Sequence, residues 1–197
     1  MLLLTSAPTA AVIGPNSVLQ TLRSVREGEG TAVEAKLRVQ AGLPAELPSS
    51  MIPERWFVSL IEVLRRELPE RAEYHLEWAG RETAAYVAAH RIPAPARQLL
   101  ARLPGRLALP LLLKGVRAHA WTFAGSGAFS IQRGPTLILR DAPTCRTSSG
   151  ARCGGYYATA FEGLLRLADP RVRVREVACQ AQGAPQCRFV IEPFSSA

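Results

Sequence analysis

Three cysteines and a glutamate near the C-terminus have the types and the spacing of a metal site. Cys153 is followed by Glu176, Cys179 and Cys187, so that the four side chains lie on both sides of an apolar helical stretch and a strand. Thiolates and carboxylates are preferred ligands of zinc, and four of them complete a closed tetrahedral shell. The pattern predicts a structural zinc site that leaves no coordination position for a catalytic water.

Other interpretations of the cysteines stay open. Cys145 precedes Cys153 by the same offset that separates Cys179 from Cys187, so a four-cysteine site is a competing ligand set. Free cysteines are often buried as small hydrophobic residues, and four cysteines allow three disulfide connectivities. We place zinc first because a chain of 197 residues can bury a core without the bridges of small secreted domains.

The composition is that of a globular protein with one domain, or with one domain and an N-terminal extension. Hydrophobic residues make up 48% of the chain, and 24 basic against 16 acidic residues give a net charge of +8. Such a surface favours anionic partners. The basic residues are dispersed along the chain, and no helix-turn-helix or zinc-finger pattern accompanies them. We therefore expect no nucleic-acid partner.

The chain has no segment typical of export or of a membrane span. The apolar opening, MLLLTSAPTAAVIG, lacks the basic residues and the long apolar core of a secretory signal. The apolar run at 107–113 is short and is bounded by Arg106 and Lys114. We expect a cytoplasmic protein whose thiols are reduced and available to a metal.

Turn, capping and periodicity signals predict helices through the first two thirds of the chain. Thr31 and Glu34 form a capping-box pattern, Pro53 suits a first helical position, and Pro104 and Pro110 mark a break or kink. The predicted helices are 16–27, 31–40, 54–68, 70–90 and 96–119.

The pattern then changes from helical period to alternation. Two short strands, 127–133 and 136–141, are followed by a loop and by a helix at 156–167. RVRVREVAC and CRFVIE alternate again, and Cys179 and Cys187 flank the turn between them. The fold class is therefore α+β, with N-terminal helices followed by an antiparallel sheet and a packed helix.

The C-terminal segment resembles the 4-vinyl reductase domain family. The resemblance is carried by C-x(2)-YYA-x(2)-FEGLL and by Q-x-GAPQ-CRF-x-I, and it covers about residues 115–192. GPNSVLQ at 14–20 resembles the bacteriochlorophyll-synthesis branch of that family. The resemblance implies zinc held by Cys153, Glu176, Cys179 and Cys187, which favours Glu176 over Cys145. It also implies an N-terminal helical extension, 1–52, and a ligand-binding domain, 53–197, in one compact unit.

The same resemblance implies a fold shared with the ligand-sensing domains of that family and with subunits of vesicle-transport complexes, and a homodimer. The expected ligand is a magnesium porphyrin or a chlorophyllide-type molecule, and the expected protein partner is a pathway enzyme such as magnesium chelatase. A tetrapyrrole needs apolar and aromatic surface, arginines for its carboxylates and an imidazole for its magnesium. Packing in the core and helix capping explain such residues equally well. The candidate residues are His90, His119, Trp121, Phe123, Tyr156 and Tyr157.

The family name points to a vinyl reductase, but the sequence shows no motif for a redox cofactor. There is no G-x-G-x-x-G after a strand and no P-loop, and zinc itself has no redox chemistry. An iron–sulfur cluster on the cysteines would supply electrons and is the alternative for a reductase. We expect a carrier or accessory protein of the pathway. An actual divinyl chlorophyllide reductase and a protein–protein adaptor are the alternatives.

Overall fold

The computed structural model describes residues 11–132, 134, 136–146 and 154–192. Eight helices and six strands are present in this part of the chain. The helices are α1 Asn16–Glu29, α2 Thr31–Gln40, α3 Glu54–Glu67, α4 Ala72–His90, α5 Ala94–Arg102, α6 Gly105–Ala118, α7 Trp121–Ala124 and α8 Gly154–Leu165. The strands are β1 Val12–Ile13, β2 Ile52–Pro53, β3 Ala128–Gln132, β4 Thr136–Arg140, β5 Arg173–Ala178 and β6 Cys187–Glu192.

The C-terminal half forms a four-stranded antiparallel sheet in the order β3-β4-β6-β5. Cross-strand partners share a face of a sheet, and the pairs Leu137↔Phe189 and Leu139↔Cys187 are fully buried together. The outer strand β5 is held by α8, because Val174 donates its backbone N–H to Glu162 Oε2 at 3.0 Å. Helices followed by this sheet and its packed helix confirm the predicted α+β class.

The helices and the sheet bury one apolar cluster that runs from Ile13 to Ile191. Helix α4 packs along α8 and also contacts α1, so the N-terminal helices reach the sheet through α4 and α8. The two-stranded β1–β2 ladder adds the start of the chain to the same cluster, since Ile13 pairs with Ile52. Within the described residues, no helix combines the length and the apolar character needed to cross a membrane.

Several local predictions differ from the structure. Thr31 is the first residue of α2 and makes no capping bond, because Gly30, with φ of 94°, occupies the cap position. Pro53 pairs with Val12 in β2 and lies just outside α3. Pro110 lies inside α6 without ending it, since its exposed position lets water satisfy the carbonyl that the missing N–H leaves free. Pro104 does separate α5 from α6.

Candidate functional site

The β5–β6 hairpin brings together three of the four predicted zinc ligands. Cys179 directly follows β5 and Cys187 begins β6, with the turn between them tightened by a 3₁₀ segment and by Gly183 in a left-handed conformation. Glu176 is paired with the buried Phe189, so it faces the inner side of the sheet, and a bulge between Glu176 and Ala178 shifts the register just before Cys179. The predicted placement of both cysteines at this turn is confirmed.

The ligand atoms of Glu176, Cys179 and Cys187 all lie within 4.8 Å of one another. Both cysteines are buried and carry thiols, and the glutamate is half-buried. The backbone N–H of Gln180 also donates to Cys187 Sγ at 3.3 Å, which favours negative charge on that sulfur. Cys153, the fourth predicted ligand, lies outside the described residues and directly precedes α8.

The chemistry of this donor set fits a thiophilic dication. Burial raises the pKa of the Cys187 thiol to about 12, and the neighbouring Cys179 and Glu176 add to the rise. Three acidic groups in a buried site repel one another when ionised, and a bound dication reverses that balance by holding the thiolates deprotonated. Thiolate and carboxylate ligands in this number are those that zinc accepts.

Cys145, the alternative ligand, also reaches this site. Its Sγ lies 3.2 Å from Cys187 Sγ, because the 3₁₀ turn Pro143–Cys145 follows β4, the neighbour of β6. Cys145 is disulfide-bonded in this structure. A sulfur in a disulfide offers no thiolate, so Cys145 would serve as a metal ligand only in the reduced protein.

Half of the predicted ligand-binding residues belong to the core. Phe123, Tyr157, Phe161 and Phe189 contact one another with ring centroids 5.6–6.4 Å apart between α8 and the sheet. Tyr157 donates its hydroxyl to the carbonyl of Phe123 at 2.8 Å, and Tyr156 donates its own to Thr83 Oγ1 at 3.2 Å. Burial raises the pKa of Tyr156 to about 12 and that of Tyr157 well above its ordinary value. Both phenols are therefore neutral packing residues.

The other three predicted residues, His90, His119 and Trp121, are exposed. Each histidine ends a helix and places Nδ1 3.0 Å from the carbonyl four residues earlier, Tyr86 for His90 and Gly115 for His119. Because a carbonyl oxygen only accepts, Nδ1 carries the proton of the neutral imidazole. This tautomer leaves the Nε2 lone pair available to a metal ion.

A cavity of about 340 Å³ opens at the start of α3, away from these residues. It is lined by Ala11, Pro53, Glu54, Arg55, Val58, Ser59 and Arg146. The buried carboxylate of Glu54 accepts from Ser126 N at 2.7 Å and from Arg146 Nη1 at 2.6 Å. This volume lies at the lower end of the range for small-molecule pockets, roughly 300–1,000 Å³.

Sequence reasoning missed a buried polar cluster around His75. Its Nδ1 lies 2.8 Å from Ser24 Oγ, and its Nε2 lies 3.1 Å from Glu29 Oε1, which Arg71 also contacts. Burial lowers the pKa of His75, and the hydrogen bond to Glu29 offsets part of that effect. The available signal was the position of His75 beside the buried Ala72, Leu76 and Ala79 on α4. The cluster links α1 to α4.

Comparison with known proteins agrees with the predicted family. The model of the 4-vinyl reductase domain matches residues 135–193, which include the hairpin. The bacteriochlorophyll synthase 23 kDa chain of Cereibacter sphaeroides is 39% identical over 196 residues, covering 96% of this chain and 95% of that protein. The protein of the same name from Rhodobacter capsulatus is 35% identical over 185 residues, covering 92% of this chain and 87% of that protein.

Among solved structures, the fold is similar to that of an H-NOX protein from K. algicida. The crystal structure of a mutant of that protein, in the Fe(II) unliganded state, superposes with a TM-score of 0.62 over 93% of this chain and 98% of that chain. The sequence identity is 12%, so the likeness concerns the fold alone. It agrees with an α+β domain of the ligand-binding type.

Proposed function

This chain belongs to the family of the bacteriochlorophyll synthase 23 kDa chains and carries its 4-vinyl reductase domain, and we propose that it binds a magnesium-tetrapyrrole intermediate of bacteriochlorophyll synthesis. The role in bacteriochlorophyll synthesis rests on the near full-length similarity to those chains. The protein would act in the cytoplasm as a carrier or accessory to a pathway enzyme.

The observation that carries the proposal is the state of the exposed histidines. Magnesium in a tetrapyrrole accepts a further ligand above the ring plane, and a neutral imidazole with a bare Nε2 is suited to that position. His90 and His119 both have this tautomer, because a backbone carbonyl accepts from Nδ1. The buried His75 has both nitrogens engaged and is excluded.

Of the two exposed histidines, His119 has the surroundings that a tetrapyrrole needs. Trp121 exposes 57% of its surface two residues later and offers an aromatic face for stacking. The exposed cations Lys114 and Arg117 precede it on α6 and suit the carboxylates of the macrocycle. His90 instead stacks its ring on Tyr86 at 4.4 Å, which covers one face of its imidazole. We therefore assign the magnesium ligand to His119.

The hairpin has a different role in this proposal. Glu176, Cys179 and Cys187, with Cys153 as the fourth ligand, would hold one zinc ion that ties the β5–β6 turn to the start of α8. Zinc enclosed by four protein ligands stabilises a fold and offers no open position for a substrate. The metal and the tetrapyrrole would thus occupy separate places.

The test is an absorbance and fluorescence titration of the full chain with magnesium protoporphyrin IX and, in parallel, with metal-free protoporphyrin IX. The wild-type protein should bind the magnesium form more tightly, and His119→Ala should lower that affinity by about tenfold or more. The metal-free form has no position for an axial ligand, so its binding should not change.

His90→Ala is the matched control and should behave as the wild type. Free imidazole should restore the magnesium-form spectrum of His119→Ala, because it can occupy the vacated ligand position. Loss of the magnesium preference in His90→Ala alone would move the ligand to that residue. Failure of the wild-type protein to bind either porphyrin would overturn the proposed function.

A further inference from the structure

The acidic residues of this chain leave one long segment unoccupied. Residues 83–140 contain no aspartate or glutamate and eight basic residues, so the whole net charge of +8 arises within them. The remainder of the chain has equal numbers of acidic and basic residues. The basic residues of the segment are Arg91, Arg97, Arg102, Arg106, Lys114, Arg117, Arg133 and Arg140.

Helices α5 and α6 lie inside this acid-free segment and expose most of its charge. Arg102, Arg106, Lys114 and Arg117 are all exposed, and no carboxylate in the described part of the chain forms an ion pair with them. Elsewhere, exposed arginines are commonly neutralised by neighbours, as Arg23 is by Glu27 and Arg175 is by Glu192. The surface of α5 and α6 therefore carries unbalanced positive charge.

The same two helices also expose large apolar side chains. Leu107 and Leu111 of α6 have 54% and 45% of their surface exposed, and Leu99 of α5 has 49%. Leu107, Leu111 and Lys114 follow one another at i, i+4 and i+7, so they share the outer face of α6. The inner face is already filled by buried residues, namely Ala108, Leu109, Leu112, Leu113 and Val116. A surface helix normally turns polar residues outward, and here the outward face is leucine and lysine.

We propose that the outer face of α5 and α6 docks on the surface of an anionic lipid bilayer. Leucines bordered by arginine and lysine, with no acidic residue, are the composition of a helix that lies in the membrane interface. The leucines would enter the boundary between headgroups and acyl chains, and the cations would contact the lipid phosphates. This inference is independent of tetrapyrrole binding.

Other occupants fit this face less well. A nucleic acid would use the cations, but its phosphate contacts give the exposed leucines no role. A second copy in a two-fold dimer would set this face against itself, and the unpaired cations would then repel one another. An anionic bilayer uses both the apolar and the charged residues.

The experiment is co-sedimentation of the full chain with vesicles, in the absence of any tetrapyrrole. Vesicles of phosphatidylcholine with about one third phosphatidylglycerol should retain the protein, and vesicles of phosphatidylcholine alone should not. Arg106→Gln with Lys114→Gln should lower the partition constant by about thirtyfold, or about fivefold per charge. Leu107→Gln with Leu111→Gln should lower it by at least about tenfold. High salt, about 0.5 M, should weaken binding further.

Two control variants separate this face from general charge and hydrophobicity. Arg55→Gln with Arg188→Gln removes the same charge from exposed positions outside the acid-free segment, and Val39→Gln removes an apolar side chain that is 78% exposed on α2. Both should bind as the wild type does. Equal losses in the controls, equal binding to neutral vesicles, or no vesicle binding by the folded wild-type protein would overturn the proposal. Circular dichroism checks that each variant is folded.

Discussion

Gly80 of α4 lies directly against the backbone of Tyr156 in α8. A Cβ at position 80 would overlap both the carbonyl oxygen of Tyr156 and the hydroxyl of Thr159. A second glycine continues this seam from the other helix, because a Cβ at Gly163 would lie 2.6 Å from Ala84 Cβ. The close approach of α4 and α8 therefore depends on the absence of side chains at these positions.

Gly80→Ala should destabilise the protein in spite of the better helix propensity of alanine. Forcing a methyl group against a backbone carbonyl moves one helix away from the other, and we expect a loss of about 2 kcal/mol in the free energy of unfolding. Gly115→Ala in α6 is the control, since a Cβ there meets no heavy atom within 4 Å. That variant should gain about 0.5–1 kcal/mol. Urea denaturation of both variants measures the difference, and equal stabilities would contradict this account of the seam.

Glu54 should contribute to stability through its charge. Its buried carboxylate holds Arg146 on one oxygen and the backbone N–H of Ser126 on the other, and so ties the start of α3 to the segments before β3 and after β4. Glu54→Gln keeps the size of the side chain but removes the charge, and we expect a loss of about 2 kcal/mol. Glu70→Gln, at an exposed position, should cost less than about 0.5 kcal/mol. Thermal and urea unfolding would compare the two, and a neutral Glu54→Gln would show that hydrogen bonding alone suffices.

His75 should make stability depend on pH in the mildly acidic range. Its pKa in the folded protein is lowered by burial, which outweighs the contact with Glu29. As the pH falls below about 6.5, the unfolded chain takes up a proton on this residue before the folded protein does. The free energy of unfolding should therefore decrease with falling pH, by at most about 1.4 kcal/mol per pH unit.

His75→Gln should remove this slope, and His90→Gln, at an exposed residue, should keep it. Glu29 titrates in a separate window, because its contact with Arg71 lowers its pKa below the ordinary 4.5 and its stabilising effect is lost only at lower pH. Urea unfolding at several values between about pH 5 and pH 7.5 covers the window of His75. An unchanged slope in His75→Gln would assign the pH dependence to other groups.

The features that could be predicted from the sequence are those with local signals. The β5–β6 hairpin alternates buried and exposed residues, and its cysteines flank a turn, so both the strands and the approach of Cys179 to Cys187 followed from spacing. The break at Pro104 followed from the missing N–H of proline. The α+β class followed from the change of periodicity along the chain.

The features that could not be predicted depend on partners far away in the chain. Ser24 and His75 are 51 residues apart, and nothing near either residue indicates the other. Gly80 looks like an ordinary weak point of a helix until Tyr156 is placed beside it. The predicted aromatic ligands show the same limit, since Phe123 and Tyr157 were chosen by type but pack against each other in the core.

The metal centre gives the last prediction. We expect about one zinc ion per chain in reduced protein purified without added metal, measured by mass spectrometry together with an absorption spectrum. Cys179→Ser and Cys187→Ser should each lose the metal and more than about 2 kcal/mol of stability, because both thiols belong to the cluster with Glu176. Cys145→Ser should keep the metal if Glu176 is the ligand, and Glu176→Gln should then weaken it. The opposite result for these two variants would select the four-cysteine site, since Cys145 Sγ lies only 3.2 Å from Cys187 Sγ. Iron with visible charge-transfer bands would instead indicate a cluster able to carry electrons, and would favour a reductase over a carrier.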